Sequence, residues 1–226
     1  MTVFPHPDDE TMATGGLLLA AKKYGWKTVV ITLTHGEAGQ IYLDAKGKTL
    51  NQIRHEELKK AIKILEVNTL AMGNFPDGKL KKSKAGWSKW LKKQIKRYSP
   101  SLVISYDHSG LTGHPDHISL SVELKKILSL LKLKPTLIWT TLPRHLHKPP
   151  VGHPKIMNIV SKPTHILDLK WNWLKKWQAA KKHKSQNLGK EFPIPLSMIL
   201  AKYHFEWYHE VDLNKKYPHR FVEFKI

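Results

Sequence analysis

The fold is set by the stretch TVFPHPDDE, which runs from Thr2 to Glu10. Thr2–Phe4 is an apolar, strand-like run, and a helical pattern with apolar residues recurring every three or four positions follows from about Glu10 to Tyr24. His6 and Asp9 therefore lie where a predicted strand passes into a predicted helix. In parallel α/β sheets, such junctions at the carboxyl ends of strands hold the ligand sites.

Strand-like and helical runs continue to alternate along the chain, which is typical of a parallel sheet covered on both faces. The sequence therefore predicts an α/β fold, Rossmann-like and doubly wound, with a mostly parallel sheet and helices on both faces. The other predicted elements are the strands Thr28–Leu33, Thr69–Met72, Ser101–Ser105 and Thr136–Thr141 and the helices at about Gln52–Leu65, Ser88–Tyr98 and Asp116–Leu131.

A length of 226 residues suits a single α/β domain with a sizeable core. We predict one domain over residues 1–226, with a core at about 1–142. Prolines make the pattern irregular over 143–226, where a strand Thr164–Leu169 and a Trp-rich helix from Trp171 to about Lys184 are predicted. We expect the tryptophans of this helix to pack on the sheet.

A second His-Pro-Asp element, His-Pro-Asp-His, runs from His114 to His117. A catalytic Zn²⁺ typically takes three protein ligands and leaves a fourth position for water, whose pKa the ion lowers to near ~7. The two elements together predict His6, Asp9 and His117 as metal ligands. Asp8, adjacent to a ligand, is then left to act as a base on the metal-bound water.

Cysteine is absent from the sequence, which excludes disulfides, thiolate zinc sites and cysteine nucleophiles. Any metal must therefore be held by nitrogen and oxygen. The sequence has no stretch of eighteen apolar residues, and its first ten residues carry polar chemistry where a signal peptide would be apolar. No membrane span is predicted, and we expect a cytoplasmic location.

The formal net charge is +20, which attracts polyanions such as nucleic acid or acidic membrane surfaces. Arginine, whose planar fork suits specific phosphate and base recognition, occurs at four positions only, and lysine supplies the rest. Dispersed lysine indicates a solvated surface, and no specific nucleic-acid partner is predicted.

The motifs resemble those of the PIG-L/LmbE-like family of zinc-dependent N-acetylglucosamine deacetylases. Pro5 to Glu10 is similar to the family's first motif and Gly113 to His117 to its second. Further similarities are Gly36–Gly39, Arg54–Glu57, Pro76–Gly78 and His183–Gln186.

The resemblance implies roles for individual residues. His6, Asp9 and His117 would be metal ligands and Asp8 the general base. His114 would be the second catalytic group, oriented by Asp116, and Arg54 and Asp77 would hold sugar hydroxyls. The implied partner is a small amino-sugar conjugate. Some relatives carry a tyrosine two residues before the histidine that corresponds to His114, where this chain has Thr112.

The chemistry of amide hydrolysis accounts for these residue types. Zinc would polarise the acetamide carbonyl and supply near-hydroxide. Asp8 would take the water's proton, and a cationic His114, favoured by ionised Asp116, would stabilise the oxyanion and donate a proton to the leaving nitrogen.

Structural alternatives remain for several of these residues. Asp116 is also placed to cap a helix, and Arg54 to pair with Glu57 one turn along its helix. Asp77-Gly78 is typical of a turn. His145, His147 and His153 are expected at the surface.

Three functions compete. The first is a zinc amidohydrolase acting on an N-acetylated amino sugar. The second is a non-haem Fe(II) enzyme, because two histidines and one carboxylate also form that metal site, and Fe²⁺ or another divalent ion is compatible with it. The third is a nonenzymatic polyanion-binding protein, which would not need Asp8. A homo-oligomer is compatible with all three.

Overall fold

The computed structural model describes residues 1–147, 154–190 and 192–217. The strands are β1 (Thr2–Phe4), β2 (Val29–Thr32), β3 (Thr69–Met72), β4 (Leu102–Tyr106), β5 (Thr136–Thr141), β6 (His165–Asp168) and β7 (Phe205–Glu210). The helices are α1 (Asp9–Lys23), α2 (Leu50–Ile64), α3 (Lys84–Tyr98), α4 (Gly110–Gly113), α5 (Pro115–Ser129), α6 (Asn172–Ala180) and α7 (Leu196–Lys202). Three short 3-10 helices, Arg144–Leu146, Pro154–Ile156 and Lys184–Gln186, lie in the connections.

The strands form one sheet in the order β3-β2-β1-β4-β5-β7-β6. The first five strands are parallel, while β7 pairs antiparallel with both β5 and β6. The order reverses between β1 and β4, and a crevice opens at such a point, outside the carboxyl ends of the two strands. The segments that leave β1 and β4 carry the two His-Pro-Asp elements.

Two apolar clusters cover the two faces of the sheet, and the alternation of side chains along β2 separates them. Ile31 points into the larger cluster, which includes Trp87 of α3 and Leu124 of α5. Val30 points into the other, which includes Leu18 of α1 and Leu58 and Leu65 of α2 and its C-terminal end. The predicted Rossmann-like arrangement, with helices on both faces, is confirmed.

The predicted strands and helices of the first 142 residues all occur, with ends that differ by at most four positions. The C-terminal part is less regular, and its described residues include an α-helix and a strand, α7 and β7, that have no sequence prediction. The predicted packing of the tryptophans is wrong for Trp171, whose surface is 78% exposed at the start of α6. No helix among the described residues is both long and apolar enough to cross a membrane.

Candidate active site

Three predicted ligands meet at the switch point between β1 and β4. His6 Nδ1 lies 3.3 Å from His117 Nε2 and 3.4 Å from Asp9 Oδ2, and His117 Nε2 lies 3.6 Å from Asp9 Oδ1. All three side chains are about nine-tenths buried. The fold therefore brings side chains from segments more than a hundred residues apart in sequence into contact.

The outer nitrogens of the two imidazoles face oxygen atoms, which favours protons on the outer nitrogens and lone pairs on the facing ones. His117 Nδ1 lies 3.0 Å from the carbonyl oxygen of Gly110, which accepts only, so the proton belongs on Nδ1 and Nε2 offers a lone pair. His6 Nε2 lies 2.9 Å from the carboxylate oxygen Asp77 Oδ1, which favours a proton on Nε2 and leaves Nδ1 as the nitrogen that would offer a lone pair. Two lone pairs 3.3 Å apart beside a carboxylate need a proton or a cation between them.

Asp9 is held in place by neighbours on both oxygens. Its Oδ2 accepts from the backbone N–H of His6 at 2.9 Å, and its Oδ1 accepts from the Tyr106 hydroxyl at 2.7 Å. Burial would raise the pKa of Asp9, but His117 and His6 outweigh burial and hold it well below its usual range. Asp9 is therefore a carboxylate at all physiological pH values.

Tyr106, which the sequence analysis did not select, is a member of this site. Its ring stacks on that of His117 with centroids 4.3 Å apart, and its hydroxyl orients Asp9. It is the last residue of β4, and that position at the carboxyl end of a central parallel strand was the signal available in the sequence.

Asp8 has a strained backbone and a carboxylate that does not cap its helix. Its φ is 104°, a conformation that favours glycine, and its side chain makes no capping hydrogen bond to α1. Burial raises the pKa of Asp8 to about 6, against the opposing effect of Arg54. A carboxylate with a pKa close to neutrality suits a general base.

Arg54 holds Asp8 from α2. Its Nη2 donates to Asp8 Oδ2 at 2.8 Å and to the carbonyl oxygen of Pro7, and its Nη1 donates to the carbonyl oxygen of Gly36 at 3.0 Å. Gly36 has a φ of 70°, and a Cβ there would lie 2.2 Å from Arg54 Nη1. These hydrogen bonds and the close approach of Gly36 therefore hold the Arg54 side chain in a buried position.

The alternative pairing of Arg54 with Glu57 is wrong. Glu57 instead accepts from the backbone N–H and the hydroxyl of Ser185, at 2.8 and 2.7 Å. These bonds attach the 3-10 helix Lys184–Gln186 to α2.

Asp77 and Asp116 both lie against His6. Asp77 Oδ1 is 2.9 Å and Asp116 Oδ2 is 3.5 Å from His6 Nε2. Asp77 Oδ2 also accepts from the backbone N–H of Ala38 at 3.0 Å. Burial raises the pKa of Asp77, but hydrogen bonding to His6 outweighs it and lowers the pKa to about 2. Both Asp77 oxygens thus have protein partners, so that orienting His6 is a second role beside the predicted binding of sugar hydroxyls.

The Asp116 carboxylate ties the loop after β3 to α5. It accepts from the backbone N–H groups of Gly78 and Leu80 at 2.8 and 3.0 Å. Its link to His114 runs through the backbone, because Asp116 N–H donates to His114 Nδ1 at 3.2 Å. The helix-capping alternative for the Asp116 side chain thus has no support, since His114 caps this end of α5.

His114 completes the cluster in a neutral state. Burial, together with the neighbouring His117 and His6, lowers its pKa to about 3, against the opposing effects of Asp116 and Asp9. Its Nδ1 accepts a hydrogen bond, so the proton belongs on Nε2. Donor nitrogens of His6, His114 and His117 lie within 4.8 Å of one another, which makes His114 an alternative third ligand. Asp9 faces His6 with Oδ2 at 3.4 Å and His117 with Oδ1 at 3.6 Å, and it remains the predicted third ligand.

Two further buried histidines contact segments that carry site residues. His183 is buried beside Glu10, with Nε2 3.4 Å from Oε1, and Glu10 Oε2 accepts from the backbone N–H of Asp8 at 3.0 Å. His147 was expected at the surface, but it is buried and its Nε2 lies 2.7 Å from the carbonyl oxygen of Leu111. His145 is exposed as expected, and His153 lies outside the described residues.

The donor set fits a divalent cation. Two imidazole nitrogens with facing lone pairs and one ionised carboxylate are nitrogen and oxygen ligands of the kind that zinc accepts, and Fe(II) accepts the same set. Asp77 and Asp116 against His6, and the Gly110 carbonyl against His117, are the outer partners that metal-bound histidines usually have.

A mostly parallel, doubly wound sheet with a histidine and carboxylate cluster at its switch point defines an α/β protein with a candidate metal site. Within that class, the chain belongs to the PIG-L family, described as GlcNAc-PI de-N-acetylase, which matches residues 1–128. Every predicted site residue lies within the matched part.

Relatives of this chain carry deacetylase names. A probable N-acetyl-alpha-D-glucosaminyl L-malate deacetylase 2 from Bacillus anthracis is 31% identical over 71% of this chain and 73% of its own. A 1D-myo-inositol 2-acetamido-2-deoxy-alpha-D-glucopyranoside deacetylase from Corynebacterium kroppenstedtii is 30% identical over 52% of this chain, but the match spans only 37% of that longer protein.

The solved structure of N,N'-diacetylchitobiose deacetylase from Pyrococcus horikoshii has the same fold. Its TM-score is 0.72 and its identity 18%, over 94% of this chain and 83% of that one. At this identity the likeness extends to the fold alone.

Proposed function

We propose that this protein is a metal-dependent N-deacetylase that hydrolyses the acetamide of an N-acetylglucosaminyl conjugate to an amine and acetate. The observation that carries the proposal is the position of Asp8. This carboxylate lies next to a ligand, makes no capping bond to its helix and is held by Arg54 at 2.8 Å. The deacetylase names of the relatives support the amino-sugar substrate class.

The metal would be held by His6, Asp9 and His117, with Zn²⁺ the first expectation and Fe²⁺ or another divalent ion compatible with the same ligands. When bound, such an ion acidifies water and polarises a carbonyl group. The remaining chemistry belongs to side chains of this chain.

Asp8 would accept the proton of the attacking water, because it has a pKa of about 6 and is largely ionised at neutral pH. Arg54 keeps it ionised and fixes its orientation. Neutral His114 retains a proton on Nε2, since Nδ1 accepts from Asp116 N–H. That Nε2–H would donate a hydrogen bond to the oxyanion, and the proton that Asp8 takes from the water would pass to the departing nitrogen, so His114 acts as a neutral hydrogen-bond donor and not as the imidazolium considered from the sequence.

The test is a metal analysis of the purified protein, followed by an amine-release assay over N-acetylglucosaminyl conjugates. Asp8→Asn is the diagnostic variant, and Asp168→Asn, whose side chain is 47% exposed on β6, is its control. The proposal expects loss of amine release in the first variant only. Equal amine release by both variants would contradict the role of Asp8, and binding of polyanions without any amine release would favour the nonenzymatic alternative.

A further inference from the structure

A cavity of about 500 Å³ lies beside the candidate active site, and its size falls within the range of small-molecule sites. Its lining includes Met12, Leu111, Leu146, Phe192, Ile199 and Trp207. Each of these apolar side chains is only half-buried. The cavity therefore retains apolar surface that an apolar ligand group would remove from water.

The cavity is continuous with the residues that hold Asp9. Tyr106 lines the cavity and donates its hydroxyl to Asp9 at 2.7 Å. Met12 and Ala13, also in the lining, follow Asp9 by three and four residues on α1 and thus share its face of the helix. A substrate group in this cavity would therefore contact Tyr106, which also holds Asp9.

The charged residues in the cavity wall already have partners. Lys176 Nζ donates to Glu206 Oε1 at 2.8 Å, and both side chains are about 4% exposed. Glu206 also accepts from the backbone N–H groups of Gly16 and Leu17 and from the Tyr208 hydroxyl. Both Glu206 oxygens thus have protein partners, and the Lys176 side chain is about 4% exposed, so the pair offers little to the hydroxyl groups of a sugar.

Much of the wall lies outside the part of the chain that matches the family. The match covers residues 1–128, whereas the lining residues between Thr140 and Trp207 come from the C-terminal part. All the candidate metal and proton-transfer residues are in the matched part. The reaction and the shape of this cavity are thus encoded in different segments.

We infer that the cavity binds an apolar chain of the substrate, carried either by the acyl group of the amide or by the aglycone of the sugar. The inference rests on the proposed function and narrows its substrate class. Sugar hydroxyls would remain outside the cavity, and the apolar chain would occupy it.

Two substrate series distinguish the two sources of the chain. The first varies the acyl group of a methyl glucosaminide from acetyl to butanoyl to octanoyl. The second keeps the acetyl group and varies the aglycone from methyl to butyl to octyl. Each buried methylene is worth about a fourfold change in affinity, so kcat/KM should rise at least ~10-fold to the longest member of one series. A flat or falling kcat/KM in both series overturns the inference.

Ile199 and Met198 provide a matched pair of variants on α7. Ile199 lines the cavity, whereas Met198 is 57% exposed and does not line it. Ile199→Glu should lower kcat/KM for the octyl or octanoyl substrate far more than for its methyl or acetyl counterpart, and Met198→Glu should leave the chain-length dependence unchanged. Leu146→Gln, in a separate 3-10 helix, serves the same purpose if Ile199→Glu does not fold. Equal effects of the cavity variants on long and short substrates contradict the inference.

A binding measurement separates this inference from the proposed function. Failure of the function appears as no amine release from any member of either series, including the short ones. In that case, the binding of octyl glucosaminide, methyl glucosaminide and octanoyl methyl glucosaminide is measured by calorimetry. This measurement does not depend on hydrolysis. An octyl or octanoyl ligand that binds at least ~10-fold more tightly than its one-carbon or acetyl counterpart supports the cavity assignment, and equal binding of all of them contradicts it.

Discussion

Arg54 and Asp8, 46 residues apart in the sequence, meet at 2.8 Å behind the predicted ligands, with Arg54 donating to the carboxylate. The side chains are 5% and 17% exposed, so water screens their attraction only weakly. Arg54 therefore acts on the base of the proposed reaction, and the predicted contact with sugar hydroxyls would be an additional role.

Asp8→Asn should lower kcat by ~10²–10⁴-fold, the usual contribution of a positioned base. The amide cannot take a proton, but it is similar in size and leaves the ligands unchanged. Metal content, measured on the same sample, should remain at the wild-type level. A variant that loses its metal as well would mean that Asp8 is a ligand.

His6→Ala and His117→Ala should each remove most of the bound metal, because each deletes one of the three predicted ligands. Elemental analysis after dialysis is the measurement. His145→Ala, an exposed histidine, is the control and should keep the metal. If His114→Ala loses as much metal as His117→Ala, while Asp9→Asn loses none, the third ligand is His114 and not Asp9.

Arg54→Met should shift the acidic limb of the pH profile of kcat/KM to higher pH. Loss of the guanidinium raises the pKa of Asp8 above its value of about 6, and a base that works ionised then needs a higher pH. The expected shift is about one pH unit or more, and Arg54→Lys, which keeps the charge, should shift less. An unchanged limb combined with a loss confined to sugar substrates would instead indicate hydroxyl binding.

Asp77→Asn should weaken metal binding by ~10–100-fold, the usual effect of losing a carboxylate partner of a metal-bound histidine. The cause is the contact of 2.9 Å between Asp77 Oδ1 and His6 Nε2. The affinity is measured by competition with a chelator. If the affinity does not change, but KM rises for a GlcNAc conjugate and not for a simple acetamide, Asp77 acts on the sugar.

His183→Gln should remove a pH-dependent contribution to stability. Burial lowers the pKa of His183, but hydrogen bonding to Glu10 outweighs it, with Asp8 favouring and Arg54 opposing the charged form, and the net pKa lies above 6.5. Because folding raises its pKa, charged His183 stabilises the fold fully at pH values below its pKa in the unfolded chain, near 6.5. This contribution is lost as the pH rises through the pKa of His183 in the folded protein. Breaking such a buried pair costs on the order of 3 kcal/mol.

The corresponding measurement is denaturant unfolding of wild type and His183→Gln between about pH 5 and about pH 9, the range in which histidine titrates. The difference in the free energy of unfolding should be largest at the acidic end and should shrink toward the alkaline end. His165→Gln, at a histidine whose side chain is 56% exposed, is the control. A difference that grows with pH would contradict the assignment.

Local sequence patterns were sufficient to predict the strands of the parallel part of the sheet and the helices that connect them. Strands β1 to β5 and helices α1, α2, α3 and α5 follow from apolar periodicity, because each element's period depends on residues close together in the chain. The convergence of His6, Asp9 and His117 also followed from the sequence, since the carboxyl ends of adjacent parallel strands lie at one edge of a sheet. The antiparallel pairing of β7 with β5 and β6 did not, because strand pairing depends on partners distant in sequence.

The sequence by itself thus determined the layer order, the nitrogen and oxygen chemistry of the site and the candidate ligands. Only the tertiary structure decided the partners of those groups: Arg54 with Asp8 rather than Glu57, Asp77 with His6, and Tyr106 with Asp9. The physical reason is that a buried polar group takes whichever partner packing brings within hydrogen-bond distance, and that choice is made between elements and not along them. The cavity beside Tyr106 has the same origin, because its walls come from segments that meet only in the folded chain.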